Sequence, residues 1–459
     1  MEKLYSDIVV IGGGPGGAIC SVTAKLSHPE KEVMNIREFE NQMVPCAIPY
    51  TFSDILGSVE KNLISCAMAD KIGMKTLVGR VEKVDLESKT IHLADKEVSF
   101  DKLVFATGSK TFVHPSLQHA LKLKGVFSVP KNVQYIKEMI EYVKEKKRVV
   151  VVGTGFIGIE MAIELCRSGK EVTVVGSKEY ILANSFDDEI AAQAHQEMLN
   201  AGVKYIAHDR VVDVTDNSGD GVVDMVKLKS GESIETEVVV LATGYKANTE
   251  LAQGLGLSFG HYGGIMVDEY MKSSNPDVFA IGDCAMKRGF ISKSESKTML
   301  ASTASAEGRV AGMNIYGIQN LKNFSGTIAI FSTMVAEVAF SSAGITEAAA
   351  KASNAAVVSA VFEGSNRHPE TMPDAQKQVV KLVAMQNTGQ IIGGQIIGGK
   401  ETGEMINMIG IMIENKMSIY DAMTMQVSTQ PHLTAAPPSY PVVMCASMVA
   451  AKLKSMMKS

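Results

Sequence analysis

Residues 7–17, DIVVIGGGPGG, decide the fold. The apolar run at positions 8–11 is typical of a short buried strand, and it leads directly into Gly12, Gly14 and Gly17. In a strand–turn–helix unit with the spacing G-x-G-x-x-G, the first glycine makes the tight turn, the second lets a pyrophosphate approach the backbone, and the third lets the helix pack closely. The helix that follows presents free N–H groups and a positive dipole end to the phosphates. This stretch therefore predicts a dinucleotide-binding unit of the Rossmann type.

The same pattern occurs a second time at residues 148–158, RVVVVGTGFIG. Its glycines are Gly153, Gly155 and Gly158. One such motif alone is a weak signal, because glycine-rich turns are common for steric reasons, but each copy here has a strand before it and a helix after it, as the motif requires. Downstream of each copy a buried strand ends in Ala-Thr-Gly, at residues 106–108 and 242–244. The repeat predicts an α/β fold with two Rossmann-like domains that bind two dinucleotides.

The tail of the chain follows a different pattern. From about residue 324 it has no glycine loop of this kind, and it mixes alternating strands at 357–362 and 379–385 with a helical stretch at 404–414. This part of the sequence predicts a separate α+β domain.

Length and charge exclude several classes of protein. The 459 residues correspond to roughly three domains at about 150 residues each. Lys and Arg number 45 against 50 Asp and Glu, a net charge of −5, so no broad attraction to nucleic acid is expected. The apolar run at positions 8–11 is too short for a signal peptide, and no apolar stretch approaches the roughly 20 residues that span a bilayer. We expect a cytoplasmic protein with neither nucleic acid nor membrane as a partner.

The six cysteines lack the spacing of a disulfide scaffold or a metal site. Cys20 and Cys166 lie in the helices after the glycine loops and are interpreted as packing residues, and Cys284 as a residue beside a cofactor. The roles of Cys66 and Cys445 stay open. The sixth cysteine, Cys46, lies in the segment MVPCAIPY at residues 43–50.

These motifs together resemble the pyridine nucleotide-disulfide oxidoreductase family, which includes glutathione reductase and lipoamide dehydrogenase. The resemblance covers nearly the whole chain. It implies an FAD-binding domain in two segments, an NAD(P)H-binding domain between them, and a C-terminal dimerisation domain that makes a homodimer. The corresponding boundaries are 1–113 and 249–323 for FAD, 114–248 for NAD(P)H, and 324–459 for the interface.

The resemblance also implies which residues bind the cofactors. In the FAD-binding segments they are Gly12, Gly14, Pro15, Gly17, Glu38, Ala106, Thr107, Gly108, Asp283, Ala301 and Ser302. In the NAD(P)H-binding domain they are Gly153, Gly155, Phe156, Ile157, Gly158, Glu160, Lys178 and Gly244. Residues 300–309 match the family helix whose N-terminus faces the flavin, where its dipole stabilises negative charge.

Cys46 selects a branch of the family. The paired C-x-x-x-x-C of the glutathione reductase branch is missing, so the chain resembles the single-cysteine branch: CoA-disulfide reductase, NAD(P)H-dependent persulfide or polysulfide reductase, and NADH oxidase or peroxidase. In such an enzyme, thiolate attack on a sulfur–sulfur bond gives a mixed disulfide, which electrons from NAD(P)H then reduce. Because Cys46 lies near a predicted helix start, we expect its pKa to be depressed.

Four positions depart from the family pattern. Glu38 follows Arg37 where an acidic residue usually binds the FAD ribose, and Phe156 replaces a tyrosine that gates the nicotinamide pocket. Residues 174–178 offer no carboxylate to a ribose, so NADH and NADPH both stay open, and Lys178 is either a 2′-phosphate contact or an ordinary surface lysine.

The fourth departure concerns proton transfer. The usual C-terminal His–Glu dyad is replaced by QPHLTA at residues 430–435. His432 and Tyr440 are candidates for the missing proton donor, since histidine is the readiest acid at neutral pH. Both residues could equally pack in the dimer interface.

The sequence thus favours a homodimeric FAD enzyme that uses NADH or NADPH to reduce a persulfide, polysulfide or CoA disulfide through Cys46. One alternative is an NADH oxidase or peroxidase in which Cys46 cycles through sulfenic acid. Another is an electron-transfer flavoprotein that reduces a small redox protein, with Cys46 only structural, and a last one is a non-catalytic flavin-binding sensor or scaffold.

Overall fold

The computed structural model describes residues 1–64 and 71–457. Cys66, whose role the sequence leaves open, lies outside these residues. Within them, every helix is too short or too polar to cross a bilayer.

The first glycine loop lies in a mixed sheet of seven strands. Its parallel strands are β1 (Glu2–Ile11), β2 (Val33–Arg37), β3 (Lys75–Val78), β6 (Lys96–Phe105) and β17 (Val278–Ala280), and its antiparallel strands are β4 (Val81–Asp85) and β5 (Thr90–Leu93). The order is β3-β2-β1-β6-β5-β4, and β17 also pairs with β6. Because the parallel strands all end at one edge, the glycine loop after β1 and Asp283 after β17 belong to the same edge of the sheet.

Two helices pack closely across this unit, α1 (Pro15–Ser27) and α5 (Ala301–Asn314). A Cβ added to Gly308 would lie 2.7 Å from the carbonyl oxygen of Gly16, and one added to Gly312 would lie 2.8 Å from that of Cys20. Only glycine allows backbones to approach so closely. Cys20 is fully buried in this contact, as predicted for a packing residue.

The second glycine loop lies in a fully parallel sheet. Its strands are β8 (Val126–Ser128), β9 (Arg148–Val152), β10 (Glu171–Val175), β11 (Lys204–Ile206) and β15 (Val238–Leu241), in the order β11-β10-β9-β15-β8. Its helices are α2 (Val133–Lys144), α3 (Phe156–Arg167) and α4 (Asp188–Asn200). An antiparallel sheet of β12 (Val211–Thr215), β13 (Met225–Leu228) and β14 (Ser233–Glu235) lies beside it. The predicted pair of Rossmann-like units is confirmed.

The two units meet through their Ala-Thr-Gly ends. Directly after these ends, β7 (Ser109–Thr111) and β16 (Tyr245–Ala247) form an antiparallel pair. The Thr107 hydroxyl donates to the Asn248 carbonyl at 2.5 Å, and the Thr243 hydroxyl donates to the Phe112 carbonyl at 2.5 Å. Each threonine therefore ties its own unit to the other.

The C-terminal domain is an antiparallel sheet covered by helices, which confirms the predicted α+β class. Its strands, in the order β20-β21-β24-β23-β22, are β20 (Phe331–Val335), β21 (Val338–Gly344), β22 (Val357–Ser365), β23 (Lys377–Met385) and β24 (Ile391–Gly398). Its helices are α6 (Glu347–Ala352), α7 (Thr402–Glu414), α8 (Ile419–Thr424) and α9 (Pro441–Met456). A short hairpin of β18 (Lys287–Arg288) and β19 (Glu295–Ser296) precedes α5. Cys445 is buried in α9 and its thiol donates to the Ala360 carbonyl, so it packs within its own domain.

A buried charge cluster joins the second unit to the C-terminal domain. The Lys381 side chain, 2% exposed in β23, lies 2.9 Å from carboxylate oxygens of both Asp187 and Glu347 and 2.5 Å from one of Glu189. Asp187 also accepts hydrogen bonds from the backbone N–H groups of Glu347 and Ala348, at the start of α6. Burial alone would lower the pKa of Lys381, but the three carboxylates raise it above its usual range.

Replacing Lys381 by Met is expected to destabilise the fold by about 3 kcal/mol, because Asp187 would stay buried without its counter-charge. The matched control is Lys377→Met on the same strand, whose ammonium pairs with Glu363 in solvent, and it should cost less than about 1 kcal/mol. Urea unfolding followed by circular dichroism measures both changes. Equal midpoints for the two variants would show that the cluster does not stabilise the fold.

Candidate active site

In the first glycine loop, Gly12 and Gly17 are packed tightly against other backbone atoms, whereas Gly14 has open space beside it. A Cβ on Gly12, whose φ is +125°, would lie 2.1 Å from the Ala106 carbonyl oxygen, and one on Gly17 would lie 2.0 Å from that of Gly12. A Cβ on Gly14 would have no neighbour within 4 Å. The first and third glycines are therefore required by packing, whereas the second borders open space that a ligand can approach.

The second loop repeats this geometry. Cβ atoms on Gly153 and Gly158 would each lie 2.3 Å from a carbonyl oxygen, that of Ala242 and that of Gly153 respectively, and a Cβ on Gly155 would have no neighbour within 4 Å. Both following helices, α1 and α3, start without a side-chain cap. Pro15 occupies the first turn of α1, and Phe156 and Ile157 that of α3. The uncapped N–H groups of both first turns fit two pyrophosphates.

Asp283 lies just past β17, beside the Ala106-Thr107-Gly108 end of β6. Its carboxylate accepts hydrogen bonds from the Ser109 hydroxyl at 2.7 Å and from the Lys131 ammonium at 3.0 Å. Burial would raise the pKa of Asp283, but Lys131 and Ser109 outweigh it and hold that pKa below its usual value. The carboxylate is therefore ionised at neutral pH. Sequence reasoning found Asp283 but missed Ser109 and Lys131, because neither lies in a recognisable motif.

A buried ion pair holds this turn in place. Glu307 of α5 and Lys287 of β18 are 1% and 4% exposed, with 3.0 Å between the carboxylate and the ammonium. The Glu307 carboxylate accepts from the Gly282 N–H at 2.7 Å, and Lys287 donates to the Gly282 carbonyl at 2.5 Å. The same α5 begins with Ala301 and Ser302 and also lacks a side-chain cap. The pair thus fixes Asp283 relative to the free N-terminus of α5.

Cys46 lies on the 3₁₀ turn Pro45–Ala47 and is exposed. Although solvent reaches the residue, the surrounding walls remove part of the hydration that a thiolate needs. This desolvation raises the pKa of Cys46, Glu160 and Asp283 raise it further, and only Lys131, among the described residues that act on it, lowers it. The expectation of a depressed pKa is therefore wrong: the turn is too short to supply a helix dipole, and carboxylates outnumber cations around the sulfur.

Two carboxylates of the site, those of Glu160 and Glu164, lie on α3, the helix after the second glycine loop. Glu160 accepts from the Thr333 hydroxyl at 2.8 Å, and burial together with nearby Glu164 raises the pKa of Glu160 to about 7. One turn further along α3, Glu164 accepts from the Ser53 hydroxyl at 2.5 Å, and burial raises its pKa as well. Each glutamate thus has a hydroxyl as its hydrogen-bond donor, Thr333 for Glu160 and Ser53 for Glu164.

Two tyrosines complete the surroundings of Cys46. Burial raises the pKa of Tyr50, with further increases from Glu160, Glu164 and Cys46. Burial also raises the pKa of Tyr245 to about 12, helped by Asp283 and Cys46, and its hydroxyl donates to the Val129 carbonyl at 2.6 Å. Both phenols therefore stay protonated at neutral pH.

Phe156 is held by aromatic contacts that reach the C-terminal domain. Its ring centroid lies 4.7 Å from that of Phe331 in β20 and 6.5 Å from that of Phe186. Phe156, which starts α3, is thus packed against the C-terminal domain.

The two predicted ribose contacts lie at strand ends. Glu38 is exposed just after β2, with its carboxylate 4.0 Å from Arg80. Lys178 is exposed just after β10, and Gly244, with a φ of +115°, follows β15. All three lie at the carboxyl edges of their sheets, where the glycine loops also lie.

His432 and Tyr440 are separate from this group in a single chain. His432 is exposed in a loop that is fixed by hydrogen bonds from Arg367 to the Leu433 carbonyl and from His368 to the Thr434 carbonyl. Tyr440 packs in the core of the C-terminal domain, where burial raises its pKa. Within the described part of the chain, neither is among the groups that shift the pKa of Cys46. Their proposed role as proton donors stays a prediction that needs a second copy of the chain.

The charges around Cys46 predict opposite effects of two substitutions on its reactivity. Glu160 is ionised where Cys46 titrates, so Glu160→Gln should lower the pKa of Cys46 and speed its alkylation at pH 7.5 several-fold. Lys131→Gln should raise that pKa and slow the reaction. Iodoacetamide labelling of the reduced holoenzyme across pH measures both, with Cys46→Ser to identify the labelled site. If the wild type, Glu160→Gln and Lys131→Gln gave superimposable pH profiles, this placement of the charges would be contradicted.

Comparison with known proteins identifies the family. Residues 6–308 match the pyridine nucleotide-disulphide oxidoreductase family, and residues 330–439 match its dimerisation domain. An NADH oxidase of Enterococcus faecalis is 28% identical over 438 residues, covering 93% of this chain and 95% of the relative. An NAD(P)H coenzyme A polysulfide/persulfide reductase of Pyrococcus horikoshii is 30% identical over 405 residues, covering 86% and 88%.

Among solved structures, reduced CoADR-RHD of Bacillus anthracis superimposes with a TM-score of 0.90 at 26% identity, covering 99% of this chain and 82% of that chain. The chain belongs to the pyridine nucleotide-disulphide oxidoreductase family, whose members use FAD and NAD(P)H.

Proposed function

We propose that this protein is an FAD-dependent reductase that uses NAD(P)H to reduce a persulfide, polysulfide or CoA disulfide through Cys46. One observation carries the proposal: Cys46 is the exposed cysteine of the site, and the other cysteines in the described residues, Cys20, Cys166, Cys284 and Cys445, are buried or half-buried elsewhere. All five cysteines that the structure describes are free, so none of the other four is joined to Cys46 in a disulfide, and we assign the second sulfur to the substrate. The P. horikoshii relative is named for such substrates.

The chemistry needs two steps at one sulfur atom. The Cys46 thiolate attacks the sulfur–sulfur bond of the substrate, forms a mixed disulfide and expels the other half as a thiolate or hydrosulfide, which takes up a proton. Two electrons then break the mixed disulfide, which regenerates the Cys46 thiolate and releases the second half of the substrate as a thiol. The net result is reduction of one sulfur–sulfur bond by one NAD(P)H.

The raised pKa of Cys46 bears on the choice of substrate. A thiolate of higher pKa is the stronger nucleophile, although less of it is present at neutral pH. A leaving group of low pKa, such as a persulfide sulfur, departs without a proton donor. Because no histidine is among the described groups that shift the pKa of Cys46, acidic sulfur leaving groups suit this site best.

FAD fits the first unit because its glycine loop leaves open space at Gly14 and free N–H groups at the start of α1. When bound, FAD supplies the transfer of a hydride's two electrons to sulfur. We assign its pyrophosphate to Gly12, Gly14 and Gly17, its ribityl chain to Asp283, and its ribose to Glu38. Lys131 and Ser109 keep Asp283 ionised and oriented for that contact. The N-terminus of α5, at Ala301 and Ser302, supplies the positive dipole end.

We also propose the assembly and the location. The match to a dimerisation domain over residues 330–439 supports a homodimer. The unpaired cysteines in the described part of the chain fit the reducing cytoplasm. The domain limits set out from the sequence, at residues 113, 248 and 323, stay our proposal.

A second candidate is an NADH oxidase or peroxidase, favoured by the similarity to the E. faecalis oxidase over 93% of this chain. In that case Cys46 would cycle through sulfenic acid, with oxygen or peroxide as the acceptor. The same single exposed cysteine would serve both functions, so the acceptor has to be measured.

Replacing Cys46 by Ser is expected to lower turnover of persulfide, polysulfide and CoA disulfide by roughly a hundredfold or more, since no nucleophile remains. Flavin reduction by NAD(P)H should be nearly unchanged, because that step does not use the sulfur. Anaerobic steady-state and stopped-flow kinetics of the holoenzyme measure the two steps, and Cys166→Ser serves as a control. A variant that keeps full turnover with sulfur acceptors would refute the proposal. Higher kcat/KM for oxygen or peroxide would favour the second candidate.

Mixed dimers test the role of His432. If the partner's copy of this residue serves each Cys46, then Cys46→Ser and His432→Ala homodimers are both impaired. A heterodimer of the two variants should recover about half of the wild-type activity per dimer, because one complete site is formed. Co-purification with two affinity tags isolates that species. Full activity of the His432→Ala homodimer would remove His432 from the mechanism.

A further inference from the structure

We propose that this enzyme takes NADPH in preference to NADH, and that Ser177 and Lys178 bind the 2′-phosphate of the adenosine ribose. The inference deepens the proposed function by naming the electron donor. It rests on the use of a nicotinamide cofactor by this family and not on which acceptor Cys46 reduces.

The internal repeat gives the first argument. In the first unit, Ile11 precedes the glycine loop and pairs with Ile36, and in the second unit Val152 precedes the loop and pairs with Val175. Counting onward from these paired residues, Arg37 corresponds to Gly176 and Glu38 corresponds to Ser177. The carboxylate that suits a ribose hydroxyl in the first unit is therefore replaced by a hydroxyl donor in the second.

Packing around Gly176, the residue before Ser177, leaves no room for a side chain there. A Cβ on Gly176 would lie 2.3 Å from Cγ2 of Thr154, in the glycine loop, and 2.4 Å from the hydroxyl oxygen of Tyr205. That hydroxyl also donates to the Lys178 carbonyl at 2.7 Å, which fixes the backbone just after the strand. An aspartate at Gly176 cannot be accommodated without moving Tyr205, so the absence of a carboxylate here is built into the fold.

The charges at this strand end favour a phosphate. Lys178 is exposed and forms no ion pair within residues 1–64 and 71–457. The Glu179 carboxylate, one residue further along, accepts a hydrogen bond from the Tyr180 hydroxyl. Asp209, whose N–H donates to the Gly176 carbonyl, is buried, and its carboxylate accepts from the N–H groups of Arg210 and Ser230.

The balance of groups distinguishes the two cofactors. A ribose 2′-hydroxyl needs an acceptor such as a carboxylate, whereas a 2′-phosphate needs hydrogen-bond donors and positive charge. Ser177 supplies a hydroxyl donor and Lys178 an unpaired ammonium, and Arg210 adds an exposed cation on the adjacent segment. The strand end thus has donors that suit NADPH, and Gly176 and Ser177, which correspond to Arg37 and Glu38, carry no carboxylate.

The kinetic test compares flavin reduction by NADPH and NADH in the anaerobic holoenzyme. We expect kcat/KM to favour NADPH by about tenfold or more, the size of one charge-assisted hydrogen bond. Lys178→Gln should remove most of that preference by raising the KM for NADPH, while the kcat/KM for NADH should change by less than about twofold. The matched control is Lys144→Gln, which removes an exposed lysine at the end of α2. It should leave the kcat/KM for both cofactors unchanged.

Ser177→Glu is the complementary variant, because it places a carboxylate at the position that corresponds to Glu38. It should reverse the preference toward NADH. Wild-type preference for NADH, or a Lys178→Gln variant with an unchanged ratio, would overturn the proposal.

A binding measurement separates this inference from the proposed function. Adenosine 2′,5′-bisphosphate and AMP differ only in the 2′-phosphate, and titration calorimetry of the holoenzyme needs no acceptor. We expect the bisphosphate to bind about tenfold more tightly, with the difference lost in Lys178→Gln. Equal affinities would refute the NADPH preference even if sulfur reduction is active, and a clear difference would stand even if no sulfur compound proves to be the acceptor.

Discussion

The whole site depends on how closely two glycine loops approach two alanine carbonyls. Gly12 lies against the carbonyl of Ala106 and Gly153 against that of Ala242, with no room in either place for a Cβ atom. These contacts bring the end of one strand and the start of one helix to the same edge of each sheet. The free N–H groups at the starts of α1 and α3 attract phosphate, and a residue larger than glycine at Gly12 or Gly153 would move the loop that positions them.

The sulfur chemistry is shaped by an excess of carboxylates. Glu160 of α3 and Asp283 after β17 both raise the pKa of Cys46, and Lys131 is the cation that opposes them. Such surroundings oppose a permanently ionised thiol. They also disfavour accumulation of negative charge after the substrate's sulfur–sulfur bond is cleaved, which promotes departure of the released anion. A cysteine in this environment is mostly protonated at neutral pH, and it reacts best with a substrate whose leaving sulfur is acidic.

Local patterns in the sequence predicted the fold, and the residues they indicate for phosphate binding lie at one sheet edge in each unit. The glycine spacing, the apolar runs before Gly12 and Gly153, and the acidic residue after β17 are all properties of short segments. The pKa of Cys46 could not be derived in this way, because it depends on Glu160 and Lys131, which lie far from it in the chain. Thr333, Ser109 and the Lys287–Glu307 pair were missed for the same reason, since each acts through contacts between distant segments. The correspondence of Ser177 with Glu38 likewise depends on the strand pairing within each unit, which the sequence does not show.

The buried cluster around Lys381 has a consequence for how the nicotinamide cofactor is exchanged. If the second unit rotated as a rigid body, its Asp187 and Glu189 would have to separate from Lys381 of the C-terminal domain, and separating a buried ion pair is energetically costly. Hinge motion, the usual expectation for weakly joined domains, is therefore suppressed here. The junction is therefore better suited to small displacements of side chains than to rotation of the whole unit, and Phe156, packed against Phe331 of the C-terminal domain, is held at the same junction.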